Sequence, residues 1–522
     1  MKNRRWLALL LGTGLVLAAA GCGSSGNNGA NGNNSSGGEA TKAPAKTEAP
    51  ATKEPESDTK PELRVLNLWS KDDYNTHPLA KVIEERTGYK VNYEMLPADK
   101  AMDKLNLLIS SAEAYDVISI AGDKAIYTDY AKMGALVDLG PLIEEYGDNI
   151  KASISEDSFE AMKVDGKIYS IPNRSSEFAG YNLMIRTDWL EKLDLQMPTT
   201  LDEFTAVLKA FQDKDPGGTG GKGAPMSIDG ALATVANITG AFGIATGWSD
   251  QGGKLVATAQ NPGFKEYLTY MADLYKQGLI DKEFAVNKDA TLKEKFTSGQ
   301  IGVIQLPWFD IPTVADALNK NFPEAKFAYL PALKGKDGKM GIGMSGGYDR
   351  ITFIPKSAKH PEDAIKWINA KLEPETFKLI SLGEEGKHYT YSDGVYSPIL
   401  PIFTDERGLA SSYLTGIDEV NYPIYWQARV KKDERLFAGF SYLNREIPAE
   451  GRVADPLAFA PSLPEYAKNN ASLNQMINDF AVKVIVGEES PDAVTEFAAK
   501  FDAAGGAASA KEINEWYAGT KK

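Results

Sequence analysis

Nine side chains of this 522-residue chain stand where residue type and neighbours suit the holding of a polar, ring-bearing molecule. Trp69 and Asp72 follow a short apolar run, and Asp123 follows another. Trp308 stands beside Pro307, and Trp248, in ATGWSD, lies on a Gly-flanked loop. Tyr348 follows Gly346 and Gly347, residues without a Cβ that let backbone approach a ligand closely. Trp426 sits in NYPIYWQAR, and Asn173 and Arg174 offer planar polar groups to hydroxyls or a carboxylate. Aromatic platforms with planar polar neighbours are what a saccharide needs, since sugars show apolar ring faces and many hydroxyls. Each aromatic also has an ordinary alternative, partial burial in packing. Trp189 and Trp367, on amphipathic helical stretches, read as core.

Other chemistries find less support. His77 and His360 each precede a proline, and His388 lies in GKHYT, so no His-His or His-Cys spacing of a metal site exists. No GxSxG or phosphate-loop motif is present, and no metal or cofactor is expected. In the glycine-rich stretch 213–225, DKDPGGTGGKGAP, Asp213 and Asp215 are followed by no acid until Asp229, a departure from the calcium-loop pattern. A glycosidase needs two facing carboxylates about 5–10 Å apart. With 71 acidic residues the sequence leaves such a pair open.

The elements that must position these residues begin after a leader. Lys2, Arg4 and Arg5 precede an apolar run from Trp6 to Ala20, then small residues and Cys22, the sole cysteine. The run is short for a membrane span and suits a secretory signal. It resembles a bacterial lipoprotein signal, with Ala19 in the usual place of Leu. The resemblance implies cleavage after residue 21 and a diacylglycerol on Cys22. Residues 22–61, rich first in Gly, Ser and Asn and then in Ala, Pro, Lys and Glu, read as a tether with a mean reach of about 35 Å. The net charge of −14 becomes −17 once the three leader cations are removed, which argues against nucleic acid as a partner.

From residue 62 the pattern alternates. LRVLNLW, KVNYEML and YDVISIAG read as strands, separated by the helical stretches HPLAKVIEERT and ADKAMDKLNLLISS. That order signals a parallel α/β sheet, whose carboxyl ends would gather LWSKDD and IAGDK at one edge. PTTLDEFTAVLKAF opens with a capping box, Thr199 or Thr200 with Glu203.

Several stretches then resemble a known family. LRVLNLWSKDDYNTHPLAKVIEERTGYKVNYEMLP, YDVISIAGDKAIYTDYAKMGALVDLGPLI, IPNRSSEFAGYNLMIRTDWLEKLDLQMPTTLDEFTAVLKAF, FTSGQIGVIQLPWFD and KSAKHPEDAIKWIN follow one another as in extracellular solute-binding proteins of ABC importers, the maltose-binding-protein-like group. EEGKHYTYSDG resembles a loop of its larger oligosaccharide-binding lipoprotein branch. The resemblance implies an α/β, two-lobed periplasmic-binding-protein-like fold (type II) with the ligand in a cleft between lobes. The first lobe would comprise 62–178 and 350–400, the second 179–349 and 401–522. Trp308 would fall at the family's cleft aromatic. Some relatives carry a calcium loop at the place of 213–225. The expected function is a lipid-anchored monomer on the outer face of the cytoplasmic membrane. It would capture a saccharide, most simply an oligosaccharide, and deliver it to the membrane permease of an ABC importer. A receptor for peptides or another polar solute, a surface glycosidase, and a receptor that presents ligand to a sensor kinase are the alternatives.

Overall fold

The computed structural model describes residues 60–520 except 123 and 176–179. The anchor Cys22, the tether and Asp123 lie outside the described residues.

The first three expected strands form: β1 (Leu63–Asn67), β2 (Val91–Met95) and β3 (Val117–Ala121). The helix Pro78–Thr87 between the first two starts where His77 Nδ1 accepts the Leu79 N–H. It stops at Gly88, whose φ of 71° returns its N–H to Glu84 O. β4 (Ser170–Arg174) follows, and then the chain leaves for a second sheet made of β5 (Tyr181–Arg186), β6 (Ala224–Ser227), β7 (Ile301–Pro307) and β8 (Phe327–Tyr329). It returns as β9 (Tyr348–Phe353). The first sheet has the order β2-β1-β3-β9-β4 and the second β8-β5-β7-β6. β1 is parallel to β2 and β3, while β9 runs antiparallel to both β3 and β4. β7 is antiparallel to β5 and parallel to β6.

Each sheet is buried on both faces, and each therefore carries two cores. Around the first, Leu63, Val65, Trp367 and Ile368 pack on one side and Leu66, Ile118, Tyr127 and Phe353 on the other. Around the second, Ile185, Trp189, Phe204 and Phe264 face Met184, Ile304, Leu306 and Phe440 across the strands. Trp189 and Trp367 are buried, as their helical spacing implies. The capping box forms at Thr200, whose Oγ1 accepts the Glu203 N–H at 3.2 Å while Glu203 Oε2 accepts that of Thr200. No helix among the described residues is long and apolar enough to cross a membrane.

Residues 401–522 do not act as one block. Ala410, Tyr413, Leu414, Ile417 and Tyr422 are buried in the first-sheet core, against the expectation that placed them in the second lobe. The reason is local: three consecutive carbonyls, of Ser412, Tyr413 and Leu414, are taken by Arg350, Lys371 and Asn173, all elements of the first sheet and its helices. Farther on, Phe459 packs on the first-sheet core while Ala460 and Leu463 lie in the second.

Candidate functional site

The carboxyl ends of β1, β3 and β4 and the amino end of β9 share one edge of the first sheet. In the second sheet the carboxyl end of β7 and the amino end of β5 share an edge, with Pro307 opposite Tyr181. Six residues, 175–180, join the end of β4 to the start of β5, so these two edges adjoin within about 20 Å of chain. Open α/β sheets take ligands at such edges.

At the first edge Trp69, two residues past β1, is 55% exposed. Its ring stands past the carboxyl end of a parallel strand, where ligands of open α/β sheets collect. Its loop is held from beneath. Tyr74 Oη donates to Leu68 O, and Tyr413 Oη donates to Tyr74 O. Lys371 Nζ in turn donates to Tyr413 O and to Thr415 Oγ1 while lying 3.9 Å from the centre of the Trp367 ring. Burial drives the pKa of Lys371 well down. Asp72 is exposed, with its N–H on Ser70 Oγ. Asn173 is buried, its Nδ2 donating to Leu414 O at 3.4 Å and its Oδ1 without a partner among the described residues. Arg174 lays its guanidinium over Phe459, 4.2 Å from the ring centre. Tyr348 is 8% exposed, donates to Ser158 O and meets Phe459 edge-on. The two glycines before Tyr348 serve a close approach of protein rather than leave open space: a Cβ on Gly346 would come within 2.9 Å of Ala458, and one on Gly347 within 2.8 Å of its carbonyl.

At the second edge the exposed aromatics are Tyr181 and Phe309. Neither stood out in the sequence. Trp308, the expected one, is buried at 5% and packs edge-on against Phe440, with its Nε1 unpartnered among the described residues. Phe309, its neighbour in a short turn, is 53% exposed. Trp248 lies in the second-sheet core edge-on to Tyr466. Trp426 is half-buried between the first-sheet core and the second, with Arg429 over its ring. The structure therefore gathers Trp69, Asn173, Arg174 and Tyr348 at one edge. Position at a strand end was a usable signal for both Tyr181 and Phe309, since Tyr181 opens β5 and Phe309 lies just past β7.

An apolar groove of ≈ 500 Å³ beside β8, lined by Met184, Ile311, Tyr329, Gly439 and Tyr442, lies on the flank of the second sheet. It contains none of these edge residues.

The glycine-rich loop has the wrong polarity for calcium. The Asp215 carboxylate accepts the N–H of Thr219, Gly220 and Gly221 and the Thr219 hydroxyl. Those donors hold its pKa down. A cation site points oxygens inward; here N–H groups point inward at an anion, and no metal-ligating cluster occurs among the described residues. His388 is fully buried, its Nδ1 accepting the Glu384 N–H and its Nε2 paired with Glu406.

Comparison with known proteins gives a consistent outcome. The profile of a family described as bacterial extracellular solute-binding protein matches residues 74–376. The lipoprotein LipO of Bacillus subtilis is 28% identical over 85% of this chain and 89% of its own. The polygalacturonan/rhamnogalacturonan-binding protein YtcQ of the same organism is 24% identical over 87% and 92%. The structure of an EF-hand mutant of the Streptococcus pneumoniae ABC-transporter substrate-binding protein FusA, in complex with fructo-nystose, superposes with a TM-score of 0.69. It is 22% identical and covers 88% of this chain and 99% of that one.

Proposed function

The chain belongs to the bacterial extracellular solute-binding protein family, and on that premise we propose that it captures an oligosaccharide between its two lobes and passes it to an ABC importer. The observation that carries this reading is the set of exposed aromatics at adjoining sheet edges, Trp69 on the first and Tyr181 and Phe309 on the second. Rings on both lobes let one sugar chain touch both, and a ligand that contacts both lobes favours the closed form over the open one. Asn67 and Asn173 at the first edge and Trp308 at the second each keep a buried polar atom without a partner among the described residues. Such atoms are costly unless a ligand or water satisfies them, and saccharide hydroxyls do so in either direction. The names of YtcQ and FusA point the same way.

The reading includes a lipid anchor at Cys22, a 22–61 tether and a monomer acting beside the permease at the outer face of the cytoplasmic membrane. It includes no catalytic step. The test is thermal unfolding of the mature chain against a panel of plant and microbial oligosaccharides, with peptides as controls. A ligand present at 100 times its Kd adds about 2.7 kcal/mol of stability. A midpoint shift with a glycan that remains intact supports the reading. A shift with peptides alone, or cleavage of the glycan, defeats it. Replacing Cys22 by Ser releases the protein from membranes, and a Cys22→Ser form that stays attached would remove the anchor.

A further inference from the structure

Lys124 opens the helix Lys124–Lys132 at the end of β3, and Arg174 closes β4. Both are half-buried, and neither makes an ion pair among the described residues. In a chain with 71 acids against 57 Lys and Arg, that is unexpected for cations withdrawn from water. They sit on one aromatic pair. Lys124 Nζ lies 4.9 Å from the centre of the Tyr348 ring, and Arg174 lies over the Phe459 ring, with the two rings 5.8 Å apart. Among the described residues Lys124 donates one hydrogen bond, to Ala460 O at 2.5 Å, which takes one of its three N–H donors. Arg174 spends its guanidinium face on Phe459, and its N–H edge remains for a planar acceptor.

Resting on the saccharide reading above, we propose that Lys124 and Arg174 form an anion subsite at the first-sheet edge that takes the carboxylate of an acidic sugar residue. The ligand is thereby a uronate-containing oligosaccharide. An ammonium or guanidinium partly removed from water without a counter-ion is destabilised, and an arriving carboxylate relieves both. The guanidinium fork adds bidentate geometry that a hydroxyl cannot use as well. Burial is the one cause acting on Lys124, and it pulls the ammonium down to about 8. Asp157 and Glu419 act on the Tyr348 phenol, and Glu419 is engaged by the Ser155 N–H. Asp349 touches solvent but is crowded by protein on its other sides, which raises its carboxyl, and its charged neighbour is Arg350. Asp455 is raised by burial and turned to the Leu457 N–H. None of these acids neutralises the pair. Trp69 at the same edge supplies the stacking surface for the ring that bears the carboxylate.

The experiment titrates the mature chain by calorimetry with tri-galacturonate, tri-mannuronate and tri-glucuronate, and with the methyl ester of each. The ester keeps the sugar backbone and removes the charge. One acid form binds at least about tenfold tighter than its ester, and the gap narrows as salt is raised. Arg174→Gln and Lys124→Gln each cut the acid-over-ester preference by about tenfold, and Arg174→Lys, with charge but no fork, retains part of it. If either Gln variant unfolds, the ester comparison on the unaltered chain still decides. An ester or a neutral glycan that binds as tightly as any acid form overturns the anion subsite and leaves saccharide capture standing. Absence of binding by every glycan, acid or neutral, overturns both.

Discussion

Trp308 and Phe309 are neighbours in sequence and opposites in exposure. A Pro-Trp step after an apolar strand announces an aromatic at the sheet edge, but the turn that follows decides which ring faces out. Here Trp308 turns inward to Phe440, and Phe309 takes the open side. The expected consequence is a clean split between two variants. Phe309→Ala weakens saccharide binding by about tenfold, as loss of one stacking ring does, and leaves the thermal midpoint nearly unchanged. Trp308→Ala costs about 3–5 kcal/mol of stability through the cavity it opens. Calorimetric titration paired with denaturant melts reads both. Trp69 was legible because its strand pattern ends just before it. Trp248 was not, because the packing partner that buries it, Tyr466, comes from a helix far along the chain. At this scale acid should also loosen the His388 lock. Burial holds the His388 pKa below its ordinary value, so the unfolded chain binds a proton as pH falls through about 6.5 while the folded one does not. Glu406, held at about 2 chiefly by Lys387 and then by His388, loses its contribution as pH drops below about 4.5. Stability should therefore decline in two steps on acidification. The first step should shrink in His388→Phe, the remainder belonging to His77, whose pKa burial also lowers, and urea melts from pH 8 to pH 3 that show it undiminished would refute the assignment.

The parallel β-α-β order of the first element group was readable from alternating apolar runs, with Gly88 and the Thr200 cap as punctuation. Less readable was the purpose of glycines. Gly122 packs so close to β9 that a Cβ would lie 1.8 Å from Tyr348 O, and nothing in the local sequence announces that contact. Gly122→Ala must push β9 from β3, and the expected result is loss of the folded state in thermal melts at 37 °C. The glycine-rich loop teaches the converse. Its sequence showed that acids were missing for calcium; the structure adds that Asp215 fills the loop's centre with its own carboxylate. Millimolar calcium and a chelator should give the same midpoint for the unaltered chain, whereas Asp215→Ala should lower it. A rise of several degrees with calcium alone would contradict the loop's polarity.

At the scale of the whole molecule, the two-sheet plan followed from the order of resembling stretches, but the path of residues 401–522 did not. Side-chain donors from β4, β9 and the helix Pro361–Lys371 decide where Ser412 to Leu414 dock, and those are tertiary events invisible to local pattern. Ligand should draw the lobes together. X-ray scattering of the mature chain should show a smaller radius of gyration with saturating oligosaccharide, and an unchanged radius would separate binding from closure.

One feature of the strand order governs how this protein comes into being. β9 lies between β3 and β4, yet β5 to β8 all precede it along the chain. A chain emerging from its amino end can complete the four-stranded sheet while the five-stranded one still has a missing middle. For that interval β3 and β4 hold open edges toward each other, exposed to capture by other strands. The seam that closes last is also the one bordered by Tyr348 and Arg174. That edge is therefore complete only after every strand of the other sheet has been made.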